Sequence, residues 1–373
     1  MVNRPIPDWM RPAFERSEHP FYLWEELMKT PECLSSVMTE ECIASIREAA
    51  ASLRGANAVH LVGCGSSYFS AIAGTYVFHE ATNLPAQARN AFEFAAYPPA
   101  RLAGSAVIGI SHTGGTAAVI DSLSLAAKYG AVTIGLTDVA DSPIVRVSDY
   151  VLLGGGGREK PLPKTRSYTT SLLKHCLLTV ETGDLLGKDV SVLRSFLEKS
   201  PETAQNVLEN HLYVAREIAF GLDLQANIYL FGAGPNTATV LDGALKLQET
   251  VQAQAYAFEL EEGMHGPWVT MNPGDLVVVY AVRGPSFEKA KNFVSAISSL
   301  GVTIWALTDE PSGIPGATYE IQLPQVPELI SPLYSVLPVY QFVYYLALAR
   351  GVRPDSMRLT DDRYLEARLK LPR

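Results

Sequence analysis

The chain has 373 residues, 47% of them hydrophobic and only 18% charged, with a formal net charge of −9. That length and apolar content describe a globular protein with chain enough for two domains. The acidic balance excludes a broad nucleic-acid-binding surface and leaves room only for a local basic pocket. No uninterrupted apolar run reaches the ~18–20 residues of a membrane span, so no membrane partner is expected.

The N-terminal stretch "MVNRPIPDWMRPAFERSEHP" lacks the apolar core of a signal peptide, and the cytoplasm is the expected location. Residues 1–44 read as a mostly helical segment, with a partial helical period through "FYLWEELMKTPECLSSVM". The four cysteines, Cys33, Cys42, Cys64 and Cys176, form no C-x-x-C pair, so neither a metal site nor a disulfide framework is indicated. Cys64 in "GCGSS" reads as a small residue in a tight strand-to-helix turn rather than a nucleophile. His60 reads as a core residue of a strand.

From Ala56 onward the chain repeats itself. "ANAVHLVGCGSSYFSAIAG" begins at Ala56 and "QANIYLFGAGPNTATVLDG" at Gln225, so Gly63, Gly65 and Gly74 fall on Gly232, Gly234 and Gly243. "SAVIGISHTGG" then parallels "DLVVVYAVRGP", and "GAVTIGLTD" parallels "GVTIWALTD". Each copy alternates short Val/Ile/Leu strands with longer amphipathic segments, the mark of a parallel sheet with helices on both faces. The expected α/β architecture is two tandem domains, at 45–190 and 216–350. A helical linker at 191–215 joins them, and a charged tail follows at 351–373.

Ligands of open parallel sheets bind at the carboxyl ends of the strands. Two Ser/Thr/Gly loops fall there in the first domain, "GCGSS" and "SHTGGT". Such residues make turns and N-caps; at a helix N-terminus they also bind anions such as phosphate. Two such loops at one sheet edge favour the phosphate cradle. Neither G-x-G element has the third glycine of a dinucleotide fingerprint, and no P-loop lysine is present, so no cofactor is expected. In "LDGALKLQE", Asp242, Lys246 and Glu249 are spaced to share one face of a helix, as a site or as a solvated ion-pair stripe. His265, in "MHGPW", lies beside Glu259, Glu261 and Glu262, where a carboxylate can orient its ring or where it simply caps the Gly-Pro turn.

Five motifs in order, "GCGSSY", "SHTGGT", "TRSYTT", "LDGALKLQE" and "EGMHGP", make residues 45–373 resemble the SIS-domain (sugar isomerase) family. The resemblance is to the two-domain isomerase half of glutamine–fructose-6-phosphate aminotransferases. It extends to their stand-alone relatives, glucosamine-6-phosphate deaminases and fructosamine-6-phosphate deglycases. It implies the flavodoxin-like three-layer sandwich for each domain. Ser66, Ser67, Ser111, Thr113 and Thr116 would hold a sugar phosphate, with His112 lining the pocket. Glu249 would move a proton between C1 and C2, with Lys246 beside it. His265 would open the sugar ring from the other subunit of a homodimer.

The chain also departs from that pattern. It starts Met1-Val2, without the cysteine-initiated glutaminase domain, so it is not expected to make ammonia from glutamine. The family's synthase carries a lysine near its end; Arg368 takes that place here, with Lys370 two residues on. Arginine is too basic to form an imine readily. Arg166 and Gly115 replace a common lysine and a common glutamate. The expected function is release of an amine from an amino-sugar phosphate. Plain aldose–ketose isomerisation and non-catalytic sugar-phosphate sensing are the alternatives.

Overall fold

The structure, a computed structural model, describes residues 6–371. The chain divides into two compact units. The first is built from residues 30–158 and 166–203, the second from the chain up to Lys29, residues 159–165 and everything from Ala204.

The first unit holds a parallel sheet of β1 (Val59–Gly63), β2 (Ala86–Asn90), β3 (Ala106–Ile110), β4 (Val132–Leu136) and β5 (Tyr150–Leu152), ordered β2-β1-β3-β4-β5. Val59 lies opposite Ala86 on one side and Ala106 on the other. β1 and β3 are buried along their whole length, as continuous apolar strands covered on both faces must be. His60 is one of those buried residues, and burial with the nearby Arg89 charge pushes its imidazole below the usual value. The helix Ala117–Lys128 follows β3 and packs Val119, Leu123 and Ala126 with Val62, Val107 and Phe94. The helix Ser66–Thr82 follows β1, and its Gly74 lies against Leu61 of β1 and His175 of the helix Arg166–Leu185.

The second unit repeats the plan with β6 (Ile228–Gly232), β7 (Ala255–Glu259), β8 (Leu276–Ala281), β9 (Thr303–Thr308) and β10 (Tyr319–Gln322), ordered β7-β6-β8-β9-β10. Alternate residues of each strand enter different cores, which is how a two-faced sheet reads. Ile228, Leu230, Leu276 and Val278 join one with Val240, Val339 and Phe342. Tyr229, Phe231, Val277 and Val279 join the other with Phe293, Val294 and Ile297. Each such aliphatic or aromatic side chain withdrawn from water contributes roughly 1.5–3 kcal/mol before entropy is counted. Three helices, Ser191–Leu197, Ser200–Asn210 and Leu212–Gly221, occupy the stretch after the first sheet's last helix.

In both sheets the strand order reverses beside the first strand, between β1 and β3 and between β6 and β8. Loops leaving those strands part to opposite faces and open a crevice at the carboxyl edge. Among the described residues, no helix is long and apolar enough to cross a membrane.

Candidate active site

At the carboxyl edge of the first sheet, the chain leaves β1 through Cys64 and Gly65 and enters the helix Ser66–Thr82. Ser66 and Ser67 therefore sit half-buried in a first helical turn, where backbone N–H groups have no intrahelical acceptor. Burial pushes the Cys64 thiol up, against the thiolate a nucleophile needs. β3 ends at Ile110, and Ser111 follows, buried. Thr116 is the N-cap residue of the next helix. The hydroxyls of Ser111 and Thr116 are 2.9 Å apart, and Thr116 N–H points to Ser111 Oγ at 3.4 Å. Gly114 donates its N–H to the Ser111 carbonyl at 2.9 Å, with φ of +65°. A Cβ there would collide with Ser142, so this turn requires glycine. The loop thus folds on itself with hydroxyls and N–H groups at one sheet edge, and Thr113 and His112 stand half-buried within it.

His112 is clamped by β4's end. Its carbonyl accepts from Asp138 N–H and from the Thr137 hydroxyl, each at 3.1 Å, and its Nδ1 lies 3.1 Å from Asp138 Oδ2. The other carboxylate oxygen of Asp138 accepts from Lys174 Nζ at 2.6 Å, and Arg166 lies 3.7 Å away. Burial works against the Asp138 charge, but the Lys174 ammonium and the His112 bond outweigh it and hold the carboxyl below its usual range. Arg166 also donates to the carbonyls of Gly155, Gly156 and Gly157. Residues 154–157 are four consecutive glycines, all with positive φ; a Cβ on Gly155 would meet the Asp138 carboxylate at 2.7 Å. The sequence reading missed Asp138, Lys174 and this glycine run. The run itself and the acid closing "GLTD" at a strand end were the available signals.

The second unit holds another cluster. The helix Asn236–Lys246 runs on into a π-helical turn, Leu247–Val251, that carries Glu249; such turns recur at functional sites. Lys246 is buried, and its Nζ lies 2.5 Å from Glu249 Oε2, while the Glu249 side chain keeps 20% of its surface exposed. Asp242, fully buried, accepts the Tyr340 hydroxyl. Glu159, also buried, accepts from Thr165 N–H at 2.9 Å. Burial pulls the Lys246 ammonium down, but Glu249, Asp242 and Glu159 together hold it above the ordinary lysine value. Asp242, Lys246 and Glu249 therefore form a buried charge cluster rather than a solvated stripe. Glu159 is a further member that the sequence reading missed.

The remaining candidates have other partners. His265 is exposed, and its Nε2 is 3.1 Å from Glu261 Oε1, with Lys289 on the other oxygen of Glu261. No hydrogen bond joins His265 to Lys246 or Glu249. Arg368 lies on the helix Asp362–Lys370, with its guanidinium 5.1 Å from the Trp9 ring centre, and Lys370 is exposed. At the second sheet's own carboxyl edge, a carboxylate approaches the turn glycines. A Cβ on Gly284, the counterpart of Gly114, would collide with Glu328 Oε2, and one on Gly234 would meet Oε1 at 3.5 Å. Burial and the Asp309 charge raise the Glu328 carboxyl to about 7.

The SIS domain matches twice, over residues 52–179 and 222–350. The chain is 28% identical over 354 residues to a glutamine–fructose-6-phosphate aminotransferase (isomerizing) of Pyrococcus horikoshii, covering 94% of this chain but 58% of that protein. It spans a little over half the length of such relatives. A tagatose-6-phosphate ketose/aldose isomerase of Escherichia coli superposes with a TM-score of 0.79 at 19% identity, over 92% of this chain and 96% of its own. A glucosamine-6-phosphate deaminase of Thermotoga maritima superposes with a TM-score of 0.68 at 23% identity, over 90% and 96%. Two sheets of one strand order, each matched by the same domain, establish that the chain belongs to the SIS-domain family and carries two copies of the domain.

Proposed function

We propose that the protein is a phosphosugar isomerase/deaminase acting on an amino-sugar phosphate of the glucosamine-6-phosphate or fructosamine-6-phosphate type. The observation that carries this reading is the Lys246–Glu249 pair. A buried ammonium fixes one oxygen of a carboxylate whose side chain stays partly open on a π-helical turn. That is a suitable arrangement for taking a proton from carbon and returning it. The kinship with an aminotransferase of fructose-6-phosphate and the likeness in fold to a glucosamine-6-phosphate deaminase support it.

In this reading Ser66, Ser67, Ser111, Thr113 and Thr116, with their loop N–H groups, hold the phosphate dianion. His265, from the second copy of a homodimer, opens the sugar ring. With glucosamine-6-phosphate, Glu249 takes the C2 proton and returns it to C1 through a cis-enolamine. Lys246 stabilises the oxyanion character that develops at O1. The resulting C2 imine adds water and expels ammonia, leaving the ketose phosphate. Arg368 and Lys370 are not needed for any of these steps.

The test is to incubate the protein with glucosamine-6-phosphate and to follow ammonia and fructose-6-phosphate separately. Both should appear in equal amounts. Interconversion of an aldose and a ketose phosphate with no amine released would favour plain isomerisation instead. Inactivity on every phosphosugar tried, with tight binding retained, would favour a sensor.

A further inference from the structure

The loop Ser111–Thr116 is tied through His112 to a group of buried charges. Asp138, Lys174 and Arg166 are all buried, with side chains 2%, 1% and 2% exposed. Withdrawing three charges from water is costly, and apolar residues of the same size would commonly serve stability as well or better. A cluster kept at that cost calls for a role beyond filling space.

Its geometry supplies one. An ionised carboxylate can only accept hydrogen bonds. Lys174 Nζ, 2.6 Å from Oδ1, and Arg166, 3.7 Å from Oδ2, keep Asp138 in that form. The short contact between Asp138 Oδ2 and His112 Nδ1 therefore requires the proton on Nδ1. The His112 carbonyl is tied to Thr137 and Asp138 as well, so ring and backbone are fixed by the same two residues. Lys174 completes the clamp by donating to the Thr137 carbonyl at 3.0 Å.

We infer that Asp138, anchored by Lys174, is a positioning residue that sets the tautomer and orientation of His112 in the Ser111–Thr116 loop and thereby tunes how that loop binds the phosphate of its ligand. The ligand half of this inference rests on the proposed phosphate cradle; the tautomer half does not.

Removing Asp138 alone would strand Lys174 as a buried unpaired charge and endanger the fold. The informative variant therefore removes both together, Asp138→Leu with Lys174→Met. Histidine ring 15N–1H spectra would be recorded for the wild type and the double variant, with His112→Gln used to assign the His112 signals. Binding of inorganic phosphate and of glucitol-6-phosphate, which has no carbonyl to react, would be measured by calorimetry on the same samples. Wild-type His112 should carry its proton on Nδ1. The double variant should remain folded by circular dichroism, lose that Nδ1 proton signal and bind both probes about tenfold or more weakly, as expected when a charge-assisted contact is misaligned. An unchanged ring spectrum overturns the inference. So does a changed spectrum with affinities within twofold of wild type. Failure of the wild type to bind either probe refutes the phosphate cradle and the ligand half with it, while the ring spectra still decide the tautomer half.

Discussion

Glu249 is the residue on which the proposed chemistry turns. Its carboxylate is steadied on one side by a buried ammonium 2.5 Å away and is otherwise partly open. Glutamine has nearly the same shape and can still accept a hydrogen bond from Lys246, but it cannot accept a proton from carbon. Glu249→Gln should therefore lower turnover by at least ~10²-fold with little change in substrate affinity, since it leaves the hydroxyls proposed to hold the phosphate unaltered. Rates near wild type would remove Glu249 from the mechanism. The sequence showed this pair because its members are three residues apart in a motif. It did not show Asp138 with Lys174, 36 residues apart in the chain, or Glu159 beside Lys246, because no local period links such residues. Nor does amphipathic spacing distinguish a regular helix from the π-helical turn that carries Glu249.

At the scale of elements, the two sheets share one topology but not one edge chemistry. The repeat was legible because buried parallel strands leave unmixed apolar runs, and tight strand-to-helix turns demand glycine at fixed places. What fills the second edge was not legible. Glu328 arrives there from a short turn, Glu328–Ile330, more than forty residues after Gly284. Its carboxyl prefers the protonated form in the fold, at about 7 against an ordinary 4.5. Between those two values the native state holds a proton that the unfolded chain has released. Stability attributable to this group thus falls as pH rises from about 4.5 to about 7, and the loss stays in place above that. Glu328→Gln should remove that slope. In thermal unfolding across pH 5 to 8, the variant should gain stability relative to wild type as pH rises. A Tm difference independent of pH would show that Glu328 is not strained in this way. The same carboxylate, charged above neutral pH, disfavours a second phosphate at this edge.

At the scale of the whole molecule, the position of His265 raises the question of what completes the site. It lies exposed on the surface of its own unit, paired with Glu261 and bonded to neither Lys246 nor Glu249. If a second copy supplies His265, a chain lacking Glu249 can still lend its histidine to a neighbour, and a chain lacking His265 can still use its own Glu249. Mixing the inactive variants His265→Ala and Glu249→Gln under conditions that exchange subunits then creates mixed dimers with one intact site. With random pairing of symmetric dimers, activity should recover to about a quarter of the wild-type value. Each variant alone should stay inactive through the same treatment. If His265 serves the site of its own chain, every chain in the mixture lacks one of the two groups and no activity returns. Recovery would therefore assign ring opening and proton transfer to different subunits of one dimer, which neither variant tested singly could do.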